Sequence, residues 1–148
     1  MYNPSIWSSE LAEGRRQYVA SVLLNNKGRS ISMLDLGKSI GVIAQEPVPA
    51  KYCTDSSVFH ASGYRRFLSG DIDALNRDPR FPYSIISDNK GVRICNSEEM
   101  ARLYKMERKE ALKKLAKCSI IARKAGLDGQ ITVTGDEVRA FMETEATA

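Results

Sequence analysis

The stretch Asp35-Leu36-Gly37-Lys38-Ser39-Ile40-Gly41-Val42 has the pattern of a short amphipathic helix that ends abruptly. Its apolar residues recur at helical spacing on one face, which comprises Met33, Leu36 and Ile40. Ser32 is a favourable N-cap, and Gly37 allows another helix to approach closely. Gly41 is placed to adopt the left-handed conformation that ends a helix, after which Val42 returns to the core. The sequence therefore predicts a capped helix, a glycine turn and a change of direction.

This order of apolar, small and apolar residues followed by Gly-Val resembles the first helix and turn of a helix-turn-helix DNA-binding unit. In that unit the backbone reverses within a few residues, which a glycine permits. A capped helix followed by a glycine turn is also common in ordinary globular proteins. The octapeptide by itself leaves both interpretations open, and the elements downstream decide between them.

Two further local signals lie downstream of this stretch. Residues 62–77 have the pattern of a helix with one apolar stripe, formed by Tyr64, Leu68, Ile72 and Leu75. Residues 83–87 and 92–95 are β-prone runs on either side of Asp88-Asn89-Lys90-Gly91, a sequence typical of a tight turn. The sequence thus predicts a helix followed by a β-hairpin with a cationic tip.

The order of elements from residue 15 to about residue 95 resembles the winged helix-turn-helix DNA-binding proteins of phages and prophages. The wing motif is Ile85-Ile86-Ser87-Asp88-Asn89-Lys90-Gly91-Val92, in which valine replaces the usual aromatic residue after the glycine. A second departure is that Pro47 and Pro49 prevent a helix from starting directly after residue 42. We interpret residues 43–58 as an inserted loop. The resemblance implies a mainly α (α+β winged helix) fold, with a three-helix helix-turn-helix core, a β-hairpin wing and a long C-terminal helix.

The remaining segments complete a prediction of three regions. Residues 1–13 form a polar N-terminal arm, which Trp7 anchors to the body of the protein. Residues 14–96 form the winged helix-turn-helix domain with its inserted loop, and residues 97–148 form a C-terminal helical extension. The domain starts with a helix near residues 13–26, whose outward polar face carries Arg15, Arg16 and Gln17.

The extension is predicted to contain one long helix and one short helix. Ser97 is a favourable N-cap, and the absence of Gly and Pro before Gly126 gives a helix of about 42 Å at 1.5 Å per residue. Its apolar face comprises Met100, Leu103, Tyr104, Ala111, Leu115, Cys118, Ile121 and Ala122. That face is longer than a small domain needs to cover itself, so we expect either a homodimer through residues 97–125 or packing against the domain. A β-prone piece at residues 130–133 and a final helix with a capping box at Thr134 follow, with Val138, Phe141 and Met142 facing inward.

The composition excludes several classes of protein. The chain has 148 residues and a net charge of +4, and no apolar run is long enough to cross a membrane. The first residues lack the basic start and apolar core of a signal peptide, so we expect a cytoplasmic protein, in the host cell if it is phage-encoded. Three widely spaced cysteines and the single His60 form no metal-ligand motif. Nucleophile motifs and a phosphate loop are also absent, so we expect no cofactor, no metal and no enzymatic activity.

The resemblance implies sequence-specific binding of double-stranded DNA by a phage or mobile-element transcriptional regulator that acts by occupying its site. The helix at residues 62–77 would read the major groove, where arginine holds guanine with two hydrogen bonds. The wing would meet phosphate or the minor groove, and residues 29–38 would set the register on the backbone. The predicted DNA contacts are Arg29, Ser30, Lys38, Ser62, Arg65, Arg66, Ser69, Asn89, Lys90 and Arg93.

A second hypothesis assigns the chain to a different class, the protein-interaction modules built on winged-helix folds. A phage inhibitor of a host defence complex belongs to this class, with a host protein as partner. The loop at residues 43–58 carries Glu46 and Asp55, and it would exclude DNA if it filled the groove-facing surface. Residues 102–124 contain nine basic and two acidic residues, which suits either a polyanion partner or a solvated helix face.

Overall fold

The structure, a computed structural model, describes residues 4–127 and 134–147. The chain is mainly helical with one two-stranded antiparallel sheet. It divides into an N-terminal unit, residues 1–95, and a C-terminal unit, residues 96–148. The N-terminal unit comprises α1 (Ala12–Asn25), α2 (Met33–Ile43), α3 (Ser56–His60), α4 (Gly63–Arg77), β1 (Ile85–Asp88) and β2 (Gly91–Ile94), and the C-terminal unit comprises α5 (Ser97–Lys124) and α6 (Gly135–Thr147).

One apolar core holds the N-terminal unit together, and every helix and strand of the unit contributes to it. The apolar stripe predicted for residues 62–77 is confirmed, because Leu68, Ile72 and Leu75 of α4 are buried and Tyr64 packs at the margin. Full burial of one such aliphatic side chain contributes about 1.5–3 kcal/mol. The helix α4 is continuous from Gly63 to Arg77.

The predicted start of α2 is confirmed, but its predicted end is wrong. The Ser32 hydroxyl accepts a hydrogen bond from the Asp35 backbone N–H at 3.1 Å. The helix then continues through Gly41 to Ile43, and Gln45 is the residue that adopts a positive φ, 58°. A Cβ at Gly41 would lie 2.9 Å from the Cα of Pro47, so the glycine makes room for the following segment rather than ending the helix. Val42 is 73% exposed and does not return to the core.

The segment predicted as a loop at residues 43–58 is more ordered than expected. It contains a single 3-10 turn, Ala50–Tyr52, and ends in the short helix α3. The Asp55 carboxylate caps α3 by accepting a hydrogen bond from the Val58 N–H at 2.9 Å. Phe59 of α3 is fully buried, and a Cβ at Gly37 would lie 2.7 Å from its Cζ atom. Gly37 therefore does allow a close helix approach, as predicted, and its partner is α3.

A buried ion pair joins α1 to α4 and corrects the prediction that Arg15 faces outward. The Arg15 Nε and Nη2 atoms donate to the two carboxylate oxygens of Asp71 at 2.6 and 2.9 Å. Both side chains are only 2% exposed. The Nη1 atom of Arg15 also donates to the backbone carbonyls of Ile6 and Ser8 at 2.8 and 2.7 Å. The Arg15 guanidinium thus links the N-terminal arm, α1 and α4.

Glu46 and Trp7 hold the N-terminal arm against the unit. The Trp7 indole Nε1–H donates to the backbone carbonyl of Glu46 at 2.9 Å, and its ring packs edge-on against Tyr64 with centroids 5.2 Å apart. The Glu46 carboxylate in turn accepts hydrogen bonds from the Ser5 hydroxyl and the Ile6 N–H. The prediction that Trp7 anchors the arm is confirmed, and the anchor is the segment that follows α2.

The predicted β-hairpin is confirmed, with β1 and β2 joined by the two-residue turn Asn89-Lys90. In the antiparallel register Asp88 lies opposite Gly91, and Ile85 lies opposite Ile94. Val92 also pairs with Ile31, with hydrogen bonds of 2.9 Å in both directions between their backbones. The hairpin is therefore attached to Ile31, two residues before α2 begins.

The long helix predicted for the C-terminal unit is confirmed as α5, which has 28 residues. Its cap is Asn96, which forms a reciprocal capping box with Glu99, so the prediction of Ser97 was one residue too late. Gly126, with φ 74°, follows its end as predicted. None of the α5 residues is buried.

The final helix, α6, begins as predicted, because the Thr134 hydroxyl accepts a hydrogen bond from the Glu137 N–H at 3.2 Å. Its three predicted inward residues, Val138, Phe141 and Met142, are all exposed. The strand predicted at residues 130–133 lies outside the described residues. Within the described residues, no helix is long and apolar enough to cross a membrane.

Candidate nucleic-acid interface

A cleft of about 490 Å³ lies between α4 and the β1–β2 hairpin. The start of α2 and the polar side of α3 complete its walls. Four of the predicted DNA contacts line this cleft together: Arg65 and Ser69 from α4, and Asn89 and Lys90 from the hairpin turn. The two α4 residues and the two hairpin residues are at least twenty positions apart in the sequence, so it is the fold that brings them to one place.

The spacing of α4 explains which of its residues reach the cleft. Arg65 and Ser69 are four residues apart, so they lie on the same face of the helix, away from the buried stripe. Arg66 is exposed but does not line the cleft. Ser62 is buried at the N-cap of α4, where its hydroxyl donates to the Phe59 carbonyl at 2.6 Å. This placement gives Ser62 a structural role at the start of α4, and its side chain does not line the cleft.

Asp88 organises the hairpin and engages two of the predicted contacts. Its Oδ1 atom accepts from the backbone N–H groups of Lys90 and Gly91 at 2.8 and 3.0 Å. Its Oδ2 atom accepts from the Ser30 hydroxyl at 2.6 Å and from Arg93 Nε at 3.3 Å. The hydrogen bond from Ser30, followed by those from the turn and Arg93, lowers the pKa of Asp88 below its ordinary value. Ser30 and Arg93 therefore stabilise the hairpin, and Asn89 and Lys90 remain at its exposed tip.

The two remaining predicted contacts, Arg29 and Lys38, are exposed and do not line the cleft. Arg29 belongs to the turn after α1, where its N–H donates to the Asn26 carbonyl at 2.8 Å. Lys38 lies on the outer side of α2, one residue after the buried Gly37. Any contact that these two residues make with a ligand would lie outside the cleft.

The charge in the cleft is mixed. Three side chains that can carry positive charge, Arg65, Lys90 and His60, line it together with the carboxylates of Asp73 and Asp88. Asp88 already accepts four hydrogen bonds, one of them from the Arg93 guanidinium, which offsets its negative charge. Serine hydroxyls on α3, α4 and the hairpin add neutral donors, so the cleft suits an anionic ligand with several acceptor oxygens.

Sequence reasoning missed several residues of the cleft. Asp73 could have been found, because it lies one turn beyond Ser69 on the face that starts with Arg65. Ser56 and His60 belong to α3, and no local pattern shows that this short helix turns its polar side toward the hairpin. In the described part of the chain, no group of three His, Cys, Asp or Glu side chains is arranged to hold a metal ion.

Comparison with known proteins gives no relative: no protein-family model matches the chain, and no curated protein or solved structure is significantly similar to it.

Proposed function

We propose that the N-terminal unit is a winged helix-turn-helix domain that binds double-stranded DNA in a sequence-specific manner. The observation that carries the proposal is the cleft, where Arg65 and Ser69 of α4 meet Asn89 and Lys90 of the hairpin. In this assignment α4 is the recognition helix and the hairpin is the wing. An arginine on the recognition helix can bind guanine O6 and N7 with two hydrogen bonds, and a lysine on the wing can neutralise a phosphate.

The attachment of the hairpin supports this assignment. The pairing of Val92 with Ile31 fixes the base of the hairpin next to the N-terminus of α2. Asp88 closes the turn through the N–H groups of Lys90 and Gly91, so the tip is held in one conformation. A preformed tip loses little conformational entropy when it binds, which favours affinity.

The proposed biological role is that of a phage or mobile-element transcriptional regulator in the host cytoplasm. It acts by occupancy of a DNA site rather than by a chemical reaction. A homodimer through α5 is part of the proposal, because an exposed apolar face on this helix suits a second copy and two copies would read two half-sites. Tyr104 and Leu115, which are 66% and 41% exposed, belong to that face.

Fluorescence anisotropy with a mixed-sequence duplex, at low and moderate salt, tests the proposal. We expect binding that weakens steeply with salt, because contacts to phosphates release counterions. Arg65→Ala should reduce the affinity for this duplex, and Lys90→Ala should reduce the salt slope by about 1. Arg80→Ala is the matched control, since Arg80 is an exposed arginine that pairs with Asp78 and does not line the cleft.

The absence of binding at low salt would overturn the proposal. A second candidate, a protein-interaction module such as a phage inhibitor of a host defence complex, would then become the better explanation. The carboxylate of Asp73 in the cleft favours this candidate, since it repels phosphate and could pair with a basic residue of a host protein.

A further inference from the structure

The inserted segment between α2 and α4 replaces the short turn of a simple helix-turn-helix and places α3 beside the cleft. Its position is fixed from two sides. Phe59 is fully buried in the space that Gly37 leaves open, and the Ser62 hydroxyl donates to the Phe59 carbonyl at 2.6 Å. Asp55 caps the other end of the helix. The residues on the polar side of α3 are therefore held in place by the core.

Two residues of that polar side line the cleft. Ser56 and His60 are four positions apart, so they share a face of α3, and both are exposed. His60 lies in the same cleft as Arg65 of α4 and Lys90 of the hairpin tip. Three elements that are separate in the sequence thus direct side chains that can donate hydrogen bonds toward one space.

We propose that α3 forms a third part of the DNA interface, in which His60 donates a hydrogen bond to a phosphate of the strand that passes between α4 and the hairpin. This inference rests on the proposed DNA-binding function. A neutral imidazole carries one ring N–H, and a phosphate oxygen is a strong acceptor, so the contact does not require a charged histidine. Arg65 and Lys90, which line the same cleft, supply the positive charge that holds a phosphate there. Asp73, which also lines the cleft, repels a phosphate and so limits where the phosphate can lie.

The test compares the affinity of full-length variants for a mixed-sequence duplex of about two helical turns, measured by fluorescence anisotropy at low salt. His60→Ala should weaken binding about 5- to 10-fold, the effect of one lost hydrogen bond of ordinary strength at an exposed site. His60→Gln keeps an N–H donor near the same position and should recover part of the affinity. Ser57→Ala is the matched control, because Ser57 lies on the same helix, is exposed and does not line the cleft. Thermal unfolding of each variant shows whether the fold is intact.

The outcomes separate this inference from the proposed function. If the wild-type protein does not bind the duplex, the DNA-binding proposal fails, and this inference fails because it rests on that proposal. If the wild-type protein binds and His60→Ala binds equally well, DNA binding stands and the role of α3 is wrong. If His60→Gln is as weak as His60→Ala while both remain folded, a hydrogen bond from His60 is also excluded. Weaker binding by His60→Ala, partial recovery by His60→Gln and normal binding by Ser57→Ala would support the inference.

Discussion

The two units of the chain use amphipathic helices in different ways. In the N-terminal unit, apolar faces are covered by neighbours: Leu36 and Ile40 of α2 and Leu68 of α4 are fully buried. In the C-terminal unit, the sequence also predicts an apolar face for α5, yet none of the α5 residues is buried. Apolar spacing therefore identifies the face of a helix that avoids water, but it does not identify the surface that covers this face. Substitutions in the two units should therefore change the free energy of unfolding by different amounts.

The largest effect is expected at the buried pair of the N-terminal unit. Asp71→Ala leaves the Arg15 guanidinium buried without its carboxylate and should lower the free energy of unfolding by about 3–5 kcal/mol. Urea denaturation followed by fluorescence of the single Trp7 measures this quantity for the N-terminal unit. Asp73→Ala is the control, because Asp73 is an exposed carboxylate on the same helix. It should change the stability by less than about 0.5 kcal/mol, and equal costs for the two variants would contradict the role of the buried pair.

A smaller effect is expected where α3 packs against α2. Gly37→Ala places a Cβ 2.7 Å from Cζ of the buried Phe59, so the ring has to move, at a cost of about 1–3 kcal/mol. Gly70→Ala on α4 is the matched helical control, since its Cβ would meet no atom within 4 Å. Alanine is the better helix former, so Gly70→Ala should stabilise the unit by about 0.5–1 kcal/mol. If Gly37→Ala and Gly70→Ala changed the free energy of unfolding in the same direction, α3 would not be packed as described.

These contacts also explain which features of the fold could be predicted from the sequence. The α4 stripe and the hairpin turn depend on residues close together in the chain, and both were predicted correctly. Arg15 was predicted to face outward because its partner, Asp71, is 56 positions away. Gly41 was taken for a helix end, although its role depends on the close approach of the Pro47 backbone.

The residues of the candidate site likewise fall into those that the sequence predicts and those that it misses. Arg65, Ser69, Asn89 and Lys90 were predicted because each lies on an element with a clear local pattern. His60 was missed because the orientation of α3 depends on Phe59 entering the core beside Gly37. The burial of Ser62 does not follow from its sequence position, because a serine at a helix N-terminus can either face solvent or, as here, bond to a buried carbonyl.

The N-terminal arm should respond to acid. Hydrogen bonds from the Ser5 hydroxyl and the Ile6 N–H lower the pKa of Glu46 below its ordinary value. Because the folded-state pKa is lowered, this contact contributes fully above the unfolded-state value of about 4.3 and is lost as the pH falls through the folded-state pKa. Trp7 fluorescence between neutral pH and about pH 3 should report the loosening of the arm at Glu46, since the indole donates to the backbone carbonyl of the same residue.

Glu46→Gln should remove the part of this acid transition that belongs to the arm, and Glu13→Gln, an exposed carboxylate on α1, should leave it in place. The effect on stability is expected to be smaller than that of Gly37→Ala, because the carboxylate is solvated. Identical acid transitions for wild type and Glu46→Gln would show that Glu46 does not hold the arm.

The smallest effect on folding is expected in the C-terminal unit. A substitution there distinguishes the stability of the N-terminal unit from the assembly of two copies. Leu115→Ser removes an apolar side chain that is 41% exposed on α5, so the unfolding of the N-terminal unit should change by less than about 0.5 kcal/mol. If α5 mediates a homodimer, the same variant should halve the mass measured by light scattering, because a polar residue in the apolar face weakens the contact between copies. Lys113→Ser, on the basic side of the same helix, should keep the mass of the wild type.

A wild-type protein that is monomeric at all concentrations would exclude a second copy as the cover of the apolar face of α5. A large loss of stability in Leu115→Ser would instead show that the N-terminal unit depends on α5.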